Sequence, residues 1–361
     1  MAINRINAPG IFTRGVVQLY QDMIAPAPFF TSLAAEDATN AKDVHIGTRR
    51  FDEEPAVDIA LGNSDGHRNQ FARSTSHLYR PPEYLENFDV TELETYDRVF
   101  GGGQNPDADA LRDLIRDSAE KAAVLENKIA RATERQWAGV MQTGIVVLKN
   151  NDAIDFRRKA ASIVDPGAGG YWDGATPGIL AQLNTACQFI RNEGKSKAPE
   201  FYAIMGSSAV SAFLNNAEIK NSGDKVLIQR MKLEMPTELM VGTVYHGSIA
   251  ADNYTVHVLT YPENYDTRDA AGAVTRNEYI EPKNVVVIPT KGFAFTTKYA
   301  GLPALFNFPG MTTPMPGRVA EKIRVWSRTT PDMRSHLTYV NSRPLACPVS
   351  IDQIYTIKAL A

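Results

Sequence analysis

Apolar residues recur at helical spacing over one long stretch of this chain. Leu111, Leu114, Ile115, Ala119, Ala122, Leu125, Ile129, Ala132, Trp137 and Val140, with Gln136 among them, return every three or four positions. That period gathers them on one face of an α-helix. Asn105 suits the N-cap and Pro106 the first helical position, and Asp107 and Asp109 oppose the helix dipole. No proline interrupts before Gly144, a residue suited to a left-handed stop, and Gly139 is the one glycine inside the pattern. The pattern predicts a helix over about 106–143, roughly 57 Å long at 1.5 Å per residue. Asp117 and Lys121 are spaced to pair on its exposed face. The seam is alanine-rich and drifts from a strict heptad, so a helix lying across a sheet fits better than a coiled-coil dimer.

Elsewhere the periods are shorter. Val16, Val17, Leu19, Tyr20, Met23 and Ile24 fit one short amphipathic helix, and "APAPFF" then breaks it with Pro26 and Pro28. Such a segment cannot bury its own apolar face and needs another surface to lie on. Two strand-like runs follow, Val44–Phe51 and Gln70–Tyr79, with the turn residues Gly62, Asn63, Asp65 and Gly66 between them. Charge comes in blocks there: Arg49 and Arg50, then Asp52, Glu53 and Glu54, then Arg68, Arg73 and Arg80. A two-stranded ribbon with so few apolar residues is marginal alone. It is expected to rest on a partner surface, the alternative being a solvated insertion.

Beyond Gly144, "GIVVLKNNDAIDF" reads as a hairpin. Thr176 and Pro177 are expected to open a helix carrying Ile179, Leu180, Leu183, Cys187 and Ile190. "FYAIMG" reads as a buried strand, "SSAVSAFLNNAEIK" as one short helix and "VLIQRMKL" as a mixed segment. "MVGTVYHG", "YTVHVLTY", "NVVVIPT" and "GFAFTTKYA" read as further strands, with a charged loop from Pro262 to Thr275. Residues 176–315 thus look like one α/β unit, and 316–361 are β-rich, returning to the sheet beside the long helix.

Composition narrows the function. The chain has 361 residues, 43% hydrophobic and 22% charged, which suits a globular protein of about two domains. A formal charge of -3 supplies no basic field for specific duplex binding. The N-terminus lacks a signal-peptide pattern and no apolar run reaches bilayer length, so a soluble cytoplasmic product is expected. Cys187 and Cys347 fit no metal or redox spacing and read as reduced core thiols.

The chemical motifs do not assemble. Gly101, Gly102 and Gly103 precede a helix, as a phosphate loop would, but no lysine follows in register. "EGKS" at 193–196 has Phe189 where a phosphate loop needs its first glycine. None of the six histidines is paired four apart, and no GxSxG occurs. His246 and His257 read as strand residues, and the acidic run 52–54 as a solvated or salt-bridged loop. No enzyme activity, metal or cofactor is expected.

Four ordered stretches carry a family resemblance: "ERQWAGVMQTGIVVLKNNDAIDF", "FYAIMGSSAVSAFLNNAEIK", "NVVVIPTKGFAFTTKYAG" and "MRSHLTYVNSRPLACPVSIDQIYTIKAL". With "FTRGVVQLYQDMIAPAPFF" before them, they resemble the lambda-type major capsid protein E family of tailed phages, which has the Hong Kong 97-type fold. The resemblance implies an α+β chain: an N-terminal arm (1–40), an extended hairpin loop (41–90), a peripheral domain (91–175) with a spine helix, an axial domain (176–315), and a return to the peripheral domain (316–361). It implies hexamers and pentamers that tile an icosahedral head around double-stranded DNA, which is enclosed without specific binding. Other partners would be separate scaffolding and portal proteins, and a decoration protein where one binds. The chain would be made in the host bacterial cytoplasm and reside in the virion, with no membrane contact.

On this view Arg49, Arg50, Arg73 and Arg80, with Asp52, Glu53 and Glu54, are candidates for contacts across subunits. Gly101, Gly102 and Gly103 would be a hinge where the hairpin joins the spine helix. An encapsulin-like compartment shell or another phage structural protein is the alternative, with an enzyme or a monomeric binding module behind it.

Overall fold

The computed structural model describes residues 28–48, 75–91, 108–148, 152–174, 177–223, 231–237, 239–269, 272–306, 315–329 and 335–361. The chain begins with α1 (Phe29–Leu33), β1 (Ala35–Ala38), β2 (Val44–Thr48), β3 (Thr75–Tyr79) and β4 (Tyr84–Thr91). Then come α2 (Ala108–Thr143), β5 (Ile145–Val147), β6 (Ala153–Asp155), β7 (Ile163–Val164) and α3 (Ile179–Asn192). The middle holds β8 (Glu200–Met205), α4 (Ser207–Asn215), α5 (Ala217–Gly223), β9 (Met231–Thr237), β10 (Val244–Ala251) and β11 (Tyr254–Thr260). β12 (Asn264–Arg268), β13 (Val274–Glu278), β14 (Asn284–Pro289), β15 (Phe295–Tyr299) and β16 (Leu302–Phe306) follow. The last strands are β17 (Met315–Val319), β18 (Arg324–Thr329), β19 (Ser335–Ser342), β20 (Pro344–Pro348) and β21 (Tyr355–Lys358).

The long helix is present as α2, 36 residues. It ends as its sequence requires: Gly144 has φ +76°, and its N–H donates to Val140 O at 2.9 Å. Asn105 and Pro106 lie outside the described residues. Trp137, Val140 and Met141 on its apolar stripe are fully buried. Trp137 Nε1 donates to Thr297 Oγ1 on β15 at 2.8 Å. Gln136, the polar member of the stripe, is satisfied on both sides of its amide. It donates to Tyr84 Oη and Pro344 O and accepts the Ala346 N–H.

A seven-stranded sheet runs in the order β7-β21-β14-β8-β11-β10-β9. β8 pairs with β11 in parallel and with β14 antiparallel. Its centre is covered on both faces, which explains the unbroken apolar run of β14. Val285 and Val287 face the core formed by α3 and α4, with Leu183, Ile190 and Phe213. Val286 and Ile288 face the core that holds Trp137 and Met141 of α2. Smaller sheets surround α2: β1-β15-β20 and β18-β19-β4.

The structure revises several boundaries. β21, at the end of the chain, joins the seven-stranded sheet between β7 and β14, where Thr356 Oγ1 donates to Met141 O of the long helix at 3.0 Å. β15, within 176–315, pairs instead with β1 and β20 from outside that range. The expected charged loop is the hairpin β12–β13; its outward residues carry no apolar alternation to reveal it. The single helix expected at 207–220 is two, broken at Asn216 (ψ 139°). Asn216 Oδ1 accepts the Glu218 N–H at 2.8 Å, as an N-cap side chain does.

The helix expected to open at Thr176 and Pro177 starts at Ile179, with Gly178 in the left-handed region (φ +63°) as its N-cap residue. Its first free amides, those of Ile179 and Leu180, donate to the Glu218 carboxylate. Thr176 lies outside the described residues. So does the short helix expected at 16–24.

Candidate assembly surfaces

The last part of the expected arm is built into the body. Phe29 and Phe30 are fully buried, their ring centroids 5.5 and 5.7 Å from that of Tyr261. Below them Glu134 of α2 receives the free amides of α1, from Phe30 N at 2.7 Å and Thr31 N at 2.9 Å, and the Thr31 hydroxyl at 2.7 Å. Burial pushes the Glu134 carboxyl above the usual carboxylate range, and these hydrogen bonds pull it back in part. β1 then pairs with β15 from Ala35↔Thr296 to Ala38↔Tyr299. The arm's boundary at residue 40 is therefore corrected: residues 29–38 are integral, because their aromatic and backbone partners lie in the same chain.

The hairpin is similarly rooted. β2 and β3 pair from Val44↔Tyr79 to Thr48↔Thr75. Val44 and Ile46 are buried in the core beside α2, and the Tyr79 ring packs 5.3 Å from that of Phe156. Tyr79 Oη donates to Asp155 O at 3.2 Å. The opposite face shows Leu78 to solvent. Of the proposed contact residues, Arg80 sits at this root, where Nε lies 3.2 Å from Asp43 Oδ1 of the same chain. Its side chain remains 68% exposed, so the pair contributes little energy. Arg49, Arg50, Asp52, Glu53, Glu54 and Arg73 lie outside the described residues.

β4 makes up the last part of the expected 41–90 loop. The hairpin passes from Tyr79 through Pro81 straight into β4, whose eight residues pair with β19 from Tyr84↔Ser342 to Thr91↔Ser335. Gly101, Gly102 and Gly103, the expected hinge after that loop, lie outside the described residues.

Two arginines, the half-buried Arg158 and the buried Arg343, neither singled out by sequence pattern, hold junctions together. Arg158 sits under the end of α2. Its guanidinium donates to Met141 O at 2.8 Å, Gln142 O at 3.3 Å, Ser162 O at 3.0 Å and Ile354 O at 2.9 Å, with Nε on Ser162 Oγ at 2.8 Å. It satisfies helix carbonyls that have no partner in the helix. Burial brings its pKa down to about 9, still high enough to keep it charged at neutral pH. Arg343, between β19 and β20, donates to Gly301 O, Lys42 O and Pro81 O at 3.1–3.3 Å.

The remaining candidates have structural explanations. A Cβ on Gly194 would lie 2.6 Å from Ile190 O and 2.8 Å from Asp352 O, so the glycine of "EGKS" permits close backbone approach. Cys187 and Cys347 are buried free thiols pushed up to about 12 by burial, which leaves them unreactive at neutral pH. His246 Nε2 lies 2.9 Å from Thr260 Oγ1 on the neighbouring strand, and burial lowers its pKa. Among the described residues, no three His, Cys, Asp or Glu side chains cluster as metal ligands. No described helix is long and apolar enough to cross a membrane.

Comparison with known proteins agrees with this architecture. Superposition on a protein described as a candidate capsid protein of a prophage of E. coli CFT073 gives a TM-score of 0.58 at 13% identity, over 97% of this chain and 99% of that one. A phage-related protein from Bordetella bronchiseptica RB50 gives 0.49 at 10% identity, over 95% of each chain. The capsid protein of the cyanophage P-SCSP1u gives 0.49 at 9% identity, over 93% of this chain and 89% of that one. Curated protein sequences give no match. The fold is the Hong Kong 97-type capsid fold, mixed helix and sheet. The profile of the family described as phage major capsid protein E matches residues 67–359, and the chain belongs to that family.

Proposed function

We propose that this capsid shell protein forms hexamers and pentamers that close an icosahedral phage head around double-stranded DNA. The family match over residues 67–359 carries the reading. Each subunit would contribute its hairpin beyond Thr48 and Thr75, and its N-terminal segment before Pro28, to neighbouring subunits. Burial of such extensions over thousands of Å² is typical of permanent interfaces. Arg49, Arg50 and Arg73, with Asp52, Glu53 and Glu54, would set register between subunits and contribute little of the energy. Gly101, Gly102 and Gly103 would absorb differences in the angle between β4 and α2 among non-equivalent positions.

A formal charge of -3 suits a shell that encloses DNA without gripping it. Scaffolding and portal proteins would be separate partners, with a decoration protein where one binds. The subunit would be synthesised in the host bacterial cytoplasm and act as a structural protein, not as an enzyme. Electron microscopy of the purified protein tests the reading. Rings, tubes or closed shells are expected. A lone particle of about 40 kDa at every concentration and salt tested, with none of these assemblies, would overturn it.

A further inference from the structure

Arg343 sits where both legs of the β2–β3 hairpin meet the body. Its guanidinium spans Lys42 O, just before β2, and Pro81 O, just after β3, each at 3.3 Å. The third acceptor is Gly301 O at 3.1 Å. The Gly301 N–H donates to Ala41 O at 2.9 Å, and a Cβ on Gly301 would lie 2.6 Å from Asn40 O. The body thus closes on the first leg so tightly that only glycine fits. Ala300 N–H donates to Arg343 O at 3.0 Å, which fixes the arginine's own backbone. Outside this cluster, Asp43 and Arg80 face each other across the same root.

We propose that Arg343 is a positioning residue for shell assembly: it fixes the direction in which the hairpin leaves its own subunit. The inference rests on the reading that the hairpin engages neighbouring subunits. A planar guanidinium supplies several donors in a rigid fork and can hold three carbonyls at once; a lysine ammonium is a compact head on a flexible stem and does not reproduce that fork. Removing the fork leaves those carbonyls without their shared donor, while the hydrophobic cores remain intact. The expected failure is therefore local to the root, and assembly suffers because the hairpin is no longer aimed.

The test uses the full chain with Arg343→Lys and Arg343→Met. Hydrogen exchange on the unassembled subunit compares root amides at 42–48 and 75–80 with core amides at 201–205 and 285–288. Both variants should exchange about ten-fold faster at the root and near wild-type rates in the core. Shell yield under identical conditions, counted by microscopy, should fall about ten-fold or more. Wild-type root exchange in both variants overturns the proposal. So does a loosened root with wild-type shell yield. Equal acceleration of root and core in both variants also overturns it, because Arg343 would then be a general stability residue. Failure of the wild type to assemble at all would refute the shell reading separately, since root exchange is measured before assembly.

Discussion

At the residue scale, the charges that matter most to the fold were the least legible. Charged side chains are exposed by default, and nothing in "DFRRKAA" or "NSRPLAC" separates Arg158 or Arg343 from a surface arginine. Glu134 gave a usable sign. It lies three residues before Trp137 and seven before Met141, on a stripe that is otherwise buried. Its role is testable through pH. Its folded pKa is raised by burial, with the hydrogen bonds from Phe30 and Thr31 opposing in part. A group with a raised folded pKa contributes stability fully below its unfolded pKa and loses it as pH rises through the folded value. Glu134→Gln cannot titrate, and it sets an amide donor against amide donors. Wild type should therefore exceed Glu134→Gln in stability, and the gap should widen as pH falls from 7 into the carboxylate range. Urea midpoints at several pH values measure it. A gap that narrows on acidification would contradict the assignment.

At the element scale, α2 was legible because three independent signals agree: the 3.6-residue period, no internal proline, and Gly144 as a stop. β14 and β8 were legible as unbroken apolar runs. β12–β13 was not, since a hairpin exposed on its outer side needs no apolar alternation, and β4 was not, since its inward residues include Glu86. What the sequence could not show was how the end of α2 is secured. Its last carbonyls are exposed to partners only by the left-handed turn at Gly144, and Arg158 reaches back to take those of Met141 and Gln142. Arg158→Leu removes donors from four buried carbonyl groups, of Met141, Gln142, Ser162 and Ile354. It should destabilise the subunit by ~3 kcal/mol, as a lost buried network of charge-assisted hydrogen bonds does. Chemical denaturation provides the value, and a loss under about 1 kcal/mol would show that the cap is dispensable.

At the scale of the whole molecule, the division into arm, hairpin and two domains needed long-range pairings that no local period reports. β21 and β7 complete a sheet whose other strands lie between residues 200 and 289, and β1 is bound to β15 far along the chain. These pairings change how the arm must be tested. Removing residues 1–40 would delete Phe29 and Phe30, each fully buried and each worth about 3–5 kcal/mol when truncated. It would also strip β1 from its sheet and leave the Glu134 carboxylate without its amide donors. Against a total stability of about 5–15 kcal/mol, that loss should unfold the subunit, so failed assembly would say nothing about the arm. Removing residues 1–27 spares every one of these contacts. That truncated subunit should stay soluble and melt within about 4 °C of the full chain, yet fail to close shells. Normal closed heads from it would refute an assembly role for the segment before Pro28. A soluble, cooperatively melting protein lacking residues 1–40 would instead show that residues 29–38 are not needed to hold the body together.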